Sequence, residues 1–358
     1  MSKSEKYSWV TLMGTFEEGT EGLIFKGREF PVPPQQKEAA AGPTDKATEP
    51  EVSSGSTDRK AESKAETRAY IGQSICDKRF TEGRISVEIE FARVDYDSVA
   101  EIVLQYDPAS EDMLTVGFGG RWDAFFSLRQ WGVAEEGAGG SSRHTQGKIR
   151  NWKYLRNGGD RSNLQANKRY SLEVVVAGSL LTLRINGVDV GSETLPFQLT
   201  GLQVGLFCIG RGDIHFRNFH VESVKPQAFV VMQFNSPEYE ELFTDVIQPV
   251  CNRVGLQAFR ASDTYAPGLI VADIARQIAE SRVIIAEITP VNANVYYEVG
   301  YADALKKPVI LIADRKVKEL PFDVRPYRTI FYENSIGGKA KVEETLVKFL
   351  TSIMAYNT

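Results

Sequence analysis

The stretch SRVIIAEITPVNANVYYEVGYADALKKPVILI, residues 281–312, decides how the C-terminal part of the chain folds. Arg282 to Ile288 is an apolar run rich in β-branched residues, and Pro308 to Ile312 is a second. Between them, Asn294 to Leu305 lacks proline and reads as helix. Strand, helix, strand is one βαβ unit. Two strands too apolar to leave a face in water require a parallel sheet covered on both sides. Within the unit Glu298 is out of place: Val295 lies three residues before it and Tyr301, Ala302 and Leu305 follow, so a carboxylate falls among apolar neighbours. The reading places it near the helix start, where the dipole would keep it ionised, at the carboxyl edge where α/β folds bind ligands. The structural alternative is a buried glutamate bonded to amides of its own first turn.

The same alternation extends outward. Ala228 to Met232 is a buried strand, followed by a helix with Ser236 as cap, Pro237 in the first turn and Glu238, Glu240 and Glu241 at its positive end. Tyr239, Leu242, Phe243, Val246, Ile247 and Val250 give that helix its apolar face, Pro249 is expected to bend it, and Gly255 to stop it. Leu256 to Arg260, Leu269 to Glu280, Arg328 to Tyr332 and Val342 to Ile353 continue the pattern of strand and helix. Five strands alternating with helices predict an α/β flavodoxin-like, doubly wound parallel sheet over residues 225–358.

Residues 1–224 read differently. Short alternating runs at Arg84–Phe91, Ala100–Gln105, Leu114–Phe118, Ala124–Gln130, Tyr170–Val176, Leu180–Ile185, Gln203–Cys208 and Ile214–Val221 are separated by turn residues, Asn186-Gly187 among them. They predict an all-β jelly-roll sandwich, with Trp9–Met13 and Leu23–Phe25 as further β structure. Residues 33–67 hold no aromatic residue and Val52 as their one large aliphatic. Such a composition cannot bury enough surface to offset its ordering entropy, so the stretch is expected to be a disordered insertion.

Net charge of −5 and a pI near 5.5 argue against a dedicated nucleic-acid binder. No signal-peptide h-region or membrane-length apolar run occurs, which gives a cytoplasmic expectation. Cys76, Cys208 and Cys251 have neither disulfide-framework nor metal spacing, and with three histidines no metal site is expected. In the sandwich, Trp122, Phe125, Phe126 and Trp131 are candidates for a carbohydrate ligand, with core packing the alternative. Residues 144–169 carry seven Lys or Arg against one Asp, interleaved with Trp152 and Tyr154, which suits a phosphate-bearing ligand or a solvated loop.

Parallel connectivity brings the loops after the strands to one edge. It gathers Gln233, Phe234 and Asn235; Arg260, Ser262 and Asp263; Thr289, Asn292 and Asn294; and Glu298, with Asp273 on the second helix and Gly268 where a ligand would approach backbone. Neither GxGxxG nor GxxxxGK[ST] follows a strand, and no histidine lies in this part of the chain. Carboxylate chemistry remains.

At these residues the chain resembles the nucleoside 2-deoxyribosyltransferase-like group, related in fold to TIR domains. AFVVMQF, RASD, DIARQI, ITPVNANVYYEVGYADALKKPVILI and LPFDVRPYRTIFY carry the resemblance over about residues 226–335. The closing GLQVGLFCIGRGDIHFRNFHVESV of the first domain is similar to the last strands of concanavalin or laminin G-like jelly rolls. The first resemblance implies cleavage of an N-glycosidic bond of a nucleoside, nucleotide or NAD, with Glu298 as catalytic carboxylate and NAD as substrate, no cofactor being required. It also implies an effector role in anti-phage or stress response and a homo-oligomer. Asp263 or Asp273 would supply a proton to a leaving base only if burial raised its pKa. Related transferases carry a base-contacting Asp where this chain has Ser281, which turns the expectation toward NAD or a related nucleotide, with Arg260 either a phosphate ligand or a member of a surface ion pair. The rival is a sensor that binds a nucleotide without turnover while the sandwich binds a protein or carbohydrate partner.

Overall fold

The structure, a computed structural model, describes residues 7–27, 70–121, 123–133, 143–145, 148–233, 236–260, 270–317 and 320–355. The expected insertion at 33–67 lies outside them. Two antiparallel sheets form the first unit. The larger, eight-stranded sheet runs Trp9–Met13, Tyr70–Arg79, Gln203–Gly210, Val99–Tyr106, Met113–Phe118, Ala124–Val133, Lys148–Asp160 and Arg143–Thr145. The seven-stranded sheet runs Val188–Thr194, Leu180–Ile185, Arg169–Ala177, Gly83–Phe91, Ile214–Ser223, Gly22–Phe25 and Phe16–Glu18. Alternate residues of the two, Ile85, Ile89, Phe91, Ile102, Leu104, Phe118, Leu172 and Phe216 among them, interdigitate in one core. Asn186 and Gly187 have φ of +52° and +80°, the left-handed pair that a two-residue hairpin requires. The strand this turn leads into, Val188–Thr194, has mostly exposed or half-buried residues and had no apolar alternation to announce it.

The C-terminal unit is a five-stranded, wholly parallel sheet in the order Gln257–Arg260, Gln227–Val231, Val283–Glu287, Val309–Asp314, Thr329–Tyr332. In chain order this is 2-1-3-4-5, so connections reverse direction between the first and third strands. That reversal opens a crevice at their carboxyl ends. One face packs Val230, Ile285 and Ile312 against Phe243, Ile247, Leu346 and Leu350 of the helices that begin at Pro237 and Ile336. The other packs Phe229, Ile284, Ala286 and Leu311 against Ile278 of the helix Ile270–Glu280 and Val295, Val299 and Ala302 of the helix Ala293–Ala304. The bend expected at Pro249 takes the form of a π turn over Leu242–Ile247, because proline offers no N–H and the ladder before it widens. Gly255, at φ +84°, ends that helix. No described helix is long and apolar enough to cross a membrane.

The sandwich closes the amino edge of the parallel sheet through a polar, buried seam. The Arg282 guanidinium donates to the Leu199 carbonyl at 2.9 Å and lies 3.9 Å from Glu82, and the Gln198 amide donates to the Arg282 carbonyl at 2.7 Å. The Lys307 ammonium donates to the carbonyls of Ala279 at 2.5 Å and Ser281 at 2.8 Å. Arg282, Glu82 and Lys307 are 1%, 2% and 5% exposed, and burial pushes the lysine down to about 7. Gly178, at φ +55°, lets the sandwich backbone meet this seam: a Cβ there would stand 2.5 Å from the Ser281 carbonyl.

Candidate functional site

The seam fixes the meaning of Ser281. It precedes the central strand, so it lies at the amino edge, fully buried, with its hydroxyl donating to the Gln277 carbonyl at 2.7 Å. A ligand at the carboxyl edge cannot reach it. The expectation that Ser281 touches substrate is therefore corrected, and with it the ground for preferring a nucleotide over a nucleoside.

The other end of the same strand carries the group that the sequence reading missed. Val283, Ile285 and Glu287 share one face by alternation, and Glu287 closes the strand 1% exposed. Its Oε2 accepts the Thr289 N–H at 3.0 Å, whereas the buried Oε1 has no hydrogen-bond partner. Burial pushes its carboxyl up to about 8, and Asp314 at the end of the next strand adds to the shift. Tyr239 and Tyr332 sit in the same field: burial raises both phenols, Tyr239 to about 12, and the Glu287 charge contributes to each. The available signal was a carboxylate ending an otherwise wholly apolar strand, VIIAE, repeated one strand on in VILIAD.

Glu298 is half-buried in the second turn of the helix Ala293–Ala304, not at its start. Burial pushes its carboxyl up to about 7, so desolvation outweighs the dipole that was expected to hold it ionised. Asp303 on the same helix accepts a hydrogen bond from Tyr327, which fixes one flank toward the last strands. Helical spacing puts Glu298 on the opposite flank, on the side of the helix Ile270–Glu280 that packs against this one.

The remaining expected residues divide. Asn292 caps the Glu298 helix, its side chain accepting the Asn294 N–H at 2.9 Å, and Asn294 is exposed at the same edge. Gln233 is half-buried two residues past the first strand. Asp273 lies in the first turn of its helix, 3.4 Å from Arg276 and 28% exposed, without the burial that the acid role demanded. Arg260 is corrected as a phosphate ligand: its guanidinium is held by both Glu240 oxygens at 2.7 and 3.2 Å and lies over the Phe243 ring at 4.1 Å. Phe234, Asn235, Ser262, Asp263 and Gly268 lie outside the described residues.

In the sandwich, Phe126 is in the core and Phe125 packs against Phe118 and Tyr170, so neither serves as an exposed sugar platform. Trp122 lies outside the described residues. Trp131 and Trp152 meet at 5.3 Å on the sheet face opposite the core, where Arg129 lies 3.8 Å over Trp152 and pairs with Glu101 at 2.8 Å. Several arginines of the basic stretch are engaged within the sandwich: Arg150 pairs with Asp112 and Arg161 donates to the carbonyls of Asp95 and Ser98, while Arg156 and Arg169 form exposed pairs with Glu193 and Glu88.

No protein-family model and no curated protein matches the chain. Among solved structures it is similar to the carbohydrate binding module CBM66 from Bacillus subtilis, at 10% identity over 59% of this chain and 92% of that one, with a TM-score of 0.34. It is also similar to the Clostridium botulinum CMP N-glycosidase BcmB, at 18% identity over 34% of this chain and 98% of that one, TM-score 0.29. A third likeness is to a 2-deoxyribosyltransferase from Bacillus psychrosaccharolyticus, at 13% identity over 30% of this chain and 85% of that one, TM-score 0.26.

Proposed function

We propose that the C-terminal unit hydrolyses the bond between C1′ and the base of a nucleoside or nucleotide, NAD included, with Glu298 as the acting carboxylate. What supports the reading is a half-buried carboxylate on the helix that follows the central strand of a parallel sheet in the order 2-1-3-4-5. Breaking a glycosidic bond builds positive charge on the ribose, and an anion in a dry cleft either attacks C1′ or stabilises that charge. A free-protein pKa of about 7 suits the task. The carboxylate costs most to ionise in the empty cleft and least when a cationic ring develops beside it. Unchecked hydrolysis of NAD or a related nucleotide would deplete the cell, which is the anti-phage or stress role implied by the sequence resemblance.

The test is to incubate the purified protein with NAD, NADP, CMP, ATP and deoxynucleosides and follow released base by chromatography, with Glu298→Gln in parallel. Release that the substitution abolishes supports the glycosidase and names its substrate. Binding of one of these compounds without release, in wild type, replaces the enzyme by the nucleotide sensor.

A further inference from the structure

Thr289 stands at the turn that joins the central strand to the Glu298 helix, and three elements hold it. Its N–H donates to Glu287 Oε2 at 3.0 Å, its carbonyl accepts the Tyr239 hydroxyl, and its Oγ1 accepts the Asp314 N–H at 2.9 Å. Three residues on, Asn292 caps the helix. The start of the helix, and hence the place of Glu298 one turn later, is therefore set by what grips Thr289.

Of those grips, Glu287 supplies the carboxyl. The groups facing it are Asp314 from the neighbouring strand, Tyr332 from the strand beyond, Tyr239 and Glu238 from the helix across the sheet edge, and Tyr296 from the Glu298 helix. No cation is among them; Lys316, 88% exposed, pairs with Asp314 at 3.7 Å. The Thr289 N–H and hydroxyl both bond Glu287 and favour its ionised form, whereas burial opposes ionisation, so Oε2 accepts the Thr289 N–H in either form.

We infer that Glu287 is a positioning residue: its carboxyl, together with the Tyr239 hydroxyl, latches Thr289 and so fixes the start of the helix that presents Glu298. The inference rests on the glycosidase reading for its consequence, since Glu298 is the group positioned, but the latch is measurable without turnover.

The experiment is amide hydrogen exchange on the full chain, corrected for the intrinsic rise with pH, in wild type, Glu287→Gln, Glu287→Ala and Tyr239→Phe. Expected, at pH 7 and pH 9 alike, is slow exchange at Thr289 and the first turn of the Glu298 helix in wild type and in Glu287→Gln, which keeps an oxygen for Thr289. Glu287→Ala is expected to show fast exchange at both pH values, with Val230 and Ile285 unchanged. If Glu287→Ala does not fold, Tyr239→Phe, which removes one hydroxyl, should still loosen the same amides. Exchange in Glu287→Ala within about twofold of wild type, or unchanged exchange in Tyr239→Phe, overturns the latch. Where turnover is found, Glu287→Ala should lower kcat about 10- to 100-fold with KM nearly constant, as expected for a misplaced catalytic group. Turnover lost in Glu298→Gln but untouched in Glu287→Ala leaves the glycosidase standing and removes the latch; exchange that follows the prediction in a protein without turnover does the reverse.

Discussion

Replacing Arg282 by methionine should split the unfolding of this protein into two transitions. The guanidinium, 1% exposed, donates to the Leu199 carbonyl and is the charge nearest to Glu82, itself 2% exposed with Oε1 lacking a hydrogen bond. Removing one member of a buried pair costs about 3–5 kcal/mol, because the survivor is left charged and unsolvated. The 3.9 Å separation is long for an ion pair, which places the expected loss near the lower end, about 3 kcal/mol. The two units can be watched separately: all four tryptophans, at 9, 122, 131 and 152, precede residue 225, while every described α-helix follows it. Urea unfolding should therefore be followed by tryptophan fluorescence and by circular dichroism at 222 nm. With an m-value of about 2 kcal/mol/M, the helical transition of Arg282→Met should fall by roughly 1.5 M while the fluorescence transition moves less. Adding Glu82→Gln should recover most of the loss, since two neutral side chains leave no orphaned charge. The loss in Arg282→Met should also shrink as the pH falls, because burial raises the Glu82 carboxyl and favours its neutral form. Coincident transitions within about 0.5 kcal/mol of wild type, or a double variant as unstable as the single one, would refute an electrostatic seam.

For Glu298, kcat/KM for base release should rise with pH through about 7, the value for its carboxyl in the free protein, and Glu298→Gln should lower kcat by at least about a thousandfold at every pH. Glu287 is pushed up from 4.5 to about 8, so the folded state holds a proton that the unfolded chain releases; that contribution is fully present below pH 4.5 and is lost as pH rises toward 8. The stability advantage of Glu287→Gln over wild type should thus grow with pH, reaching on the order of 3 kcal/mol at pH 7 by denaturant titration. A flat difference would mean that Glu287 is ionised and compensated. Arg260→Gln should leave KM for a phosphorylated substrate within about threefold and instead lower stability by about 1–2 kcal/mol, because its fork is spent on Glu240 and Phe243; a large KM effect would return Arg260 to the substrate.

The alternation of strand and helix was legible because burial on both faces leaves a strand no polar positions: VIIAE and VILIAD are almost wholly apolar. Hairpin chemistry was legible for the same kind of reason, since Asn186-Gly187 has few conformations to choose from. Direction within the sheet was the weak link. Ser281 and Glu287 bound one strand, yet a parallel sheet sends its first residue to one edge and its last to the other, so one meets the sandwich and the other lines the crevice. The seam itself was illegible: Glu82, Arg282 and Lys307 look like surface charges singly, and their burial arises when two separately folded units meet. Arg260 stayed undecided in the sequence because a guanidinium at a carboxyl edge suits a phosphate and a glutamate one helix away equally well, and geometry chooses the glutamate.

The seam and the turn at Thr289 lie at opposite ends of the same two strands, and this sets how a ligand of the sandwich would have to act. Arg282 immediately precedes the strand that ends in Glu287 and Lys307 ties the start of the next strand to Ser281, so the sandwich, through Leu199, grips the beginning of the strand whose end holds Thr289. A five-residue strand is about 16 Å long and stiff along its axis, which allows a shift at the seam to reach the turn as a small displacement of the strand but gives no hinge to open a lid. Binding at the Trp131–Trp152 face would bias the site only insofar as it favours one arrangement of the seam over another. Arg282→Met tests this directly: with the grip removed, exchange at Thr289 should no longer respond to any ligand of the sandwich, whereas a response that survives would have to travel by a route outside the seam.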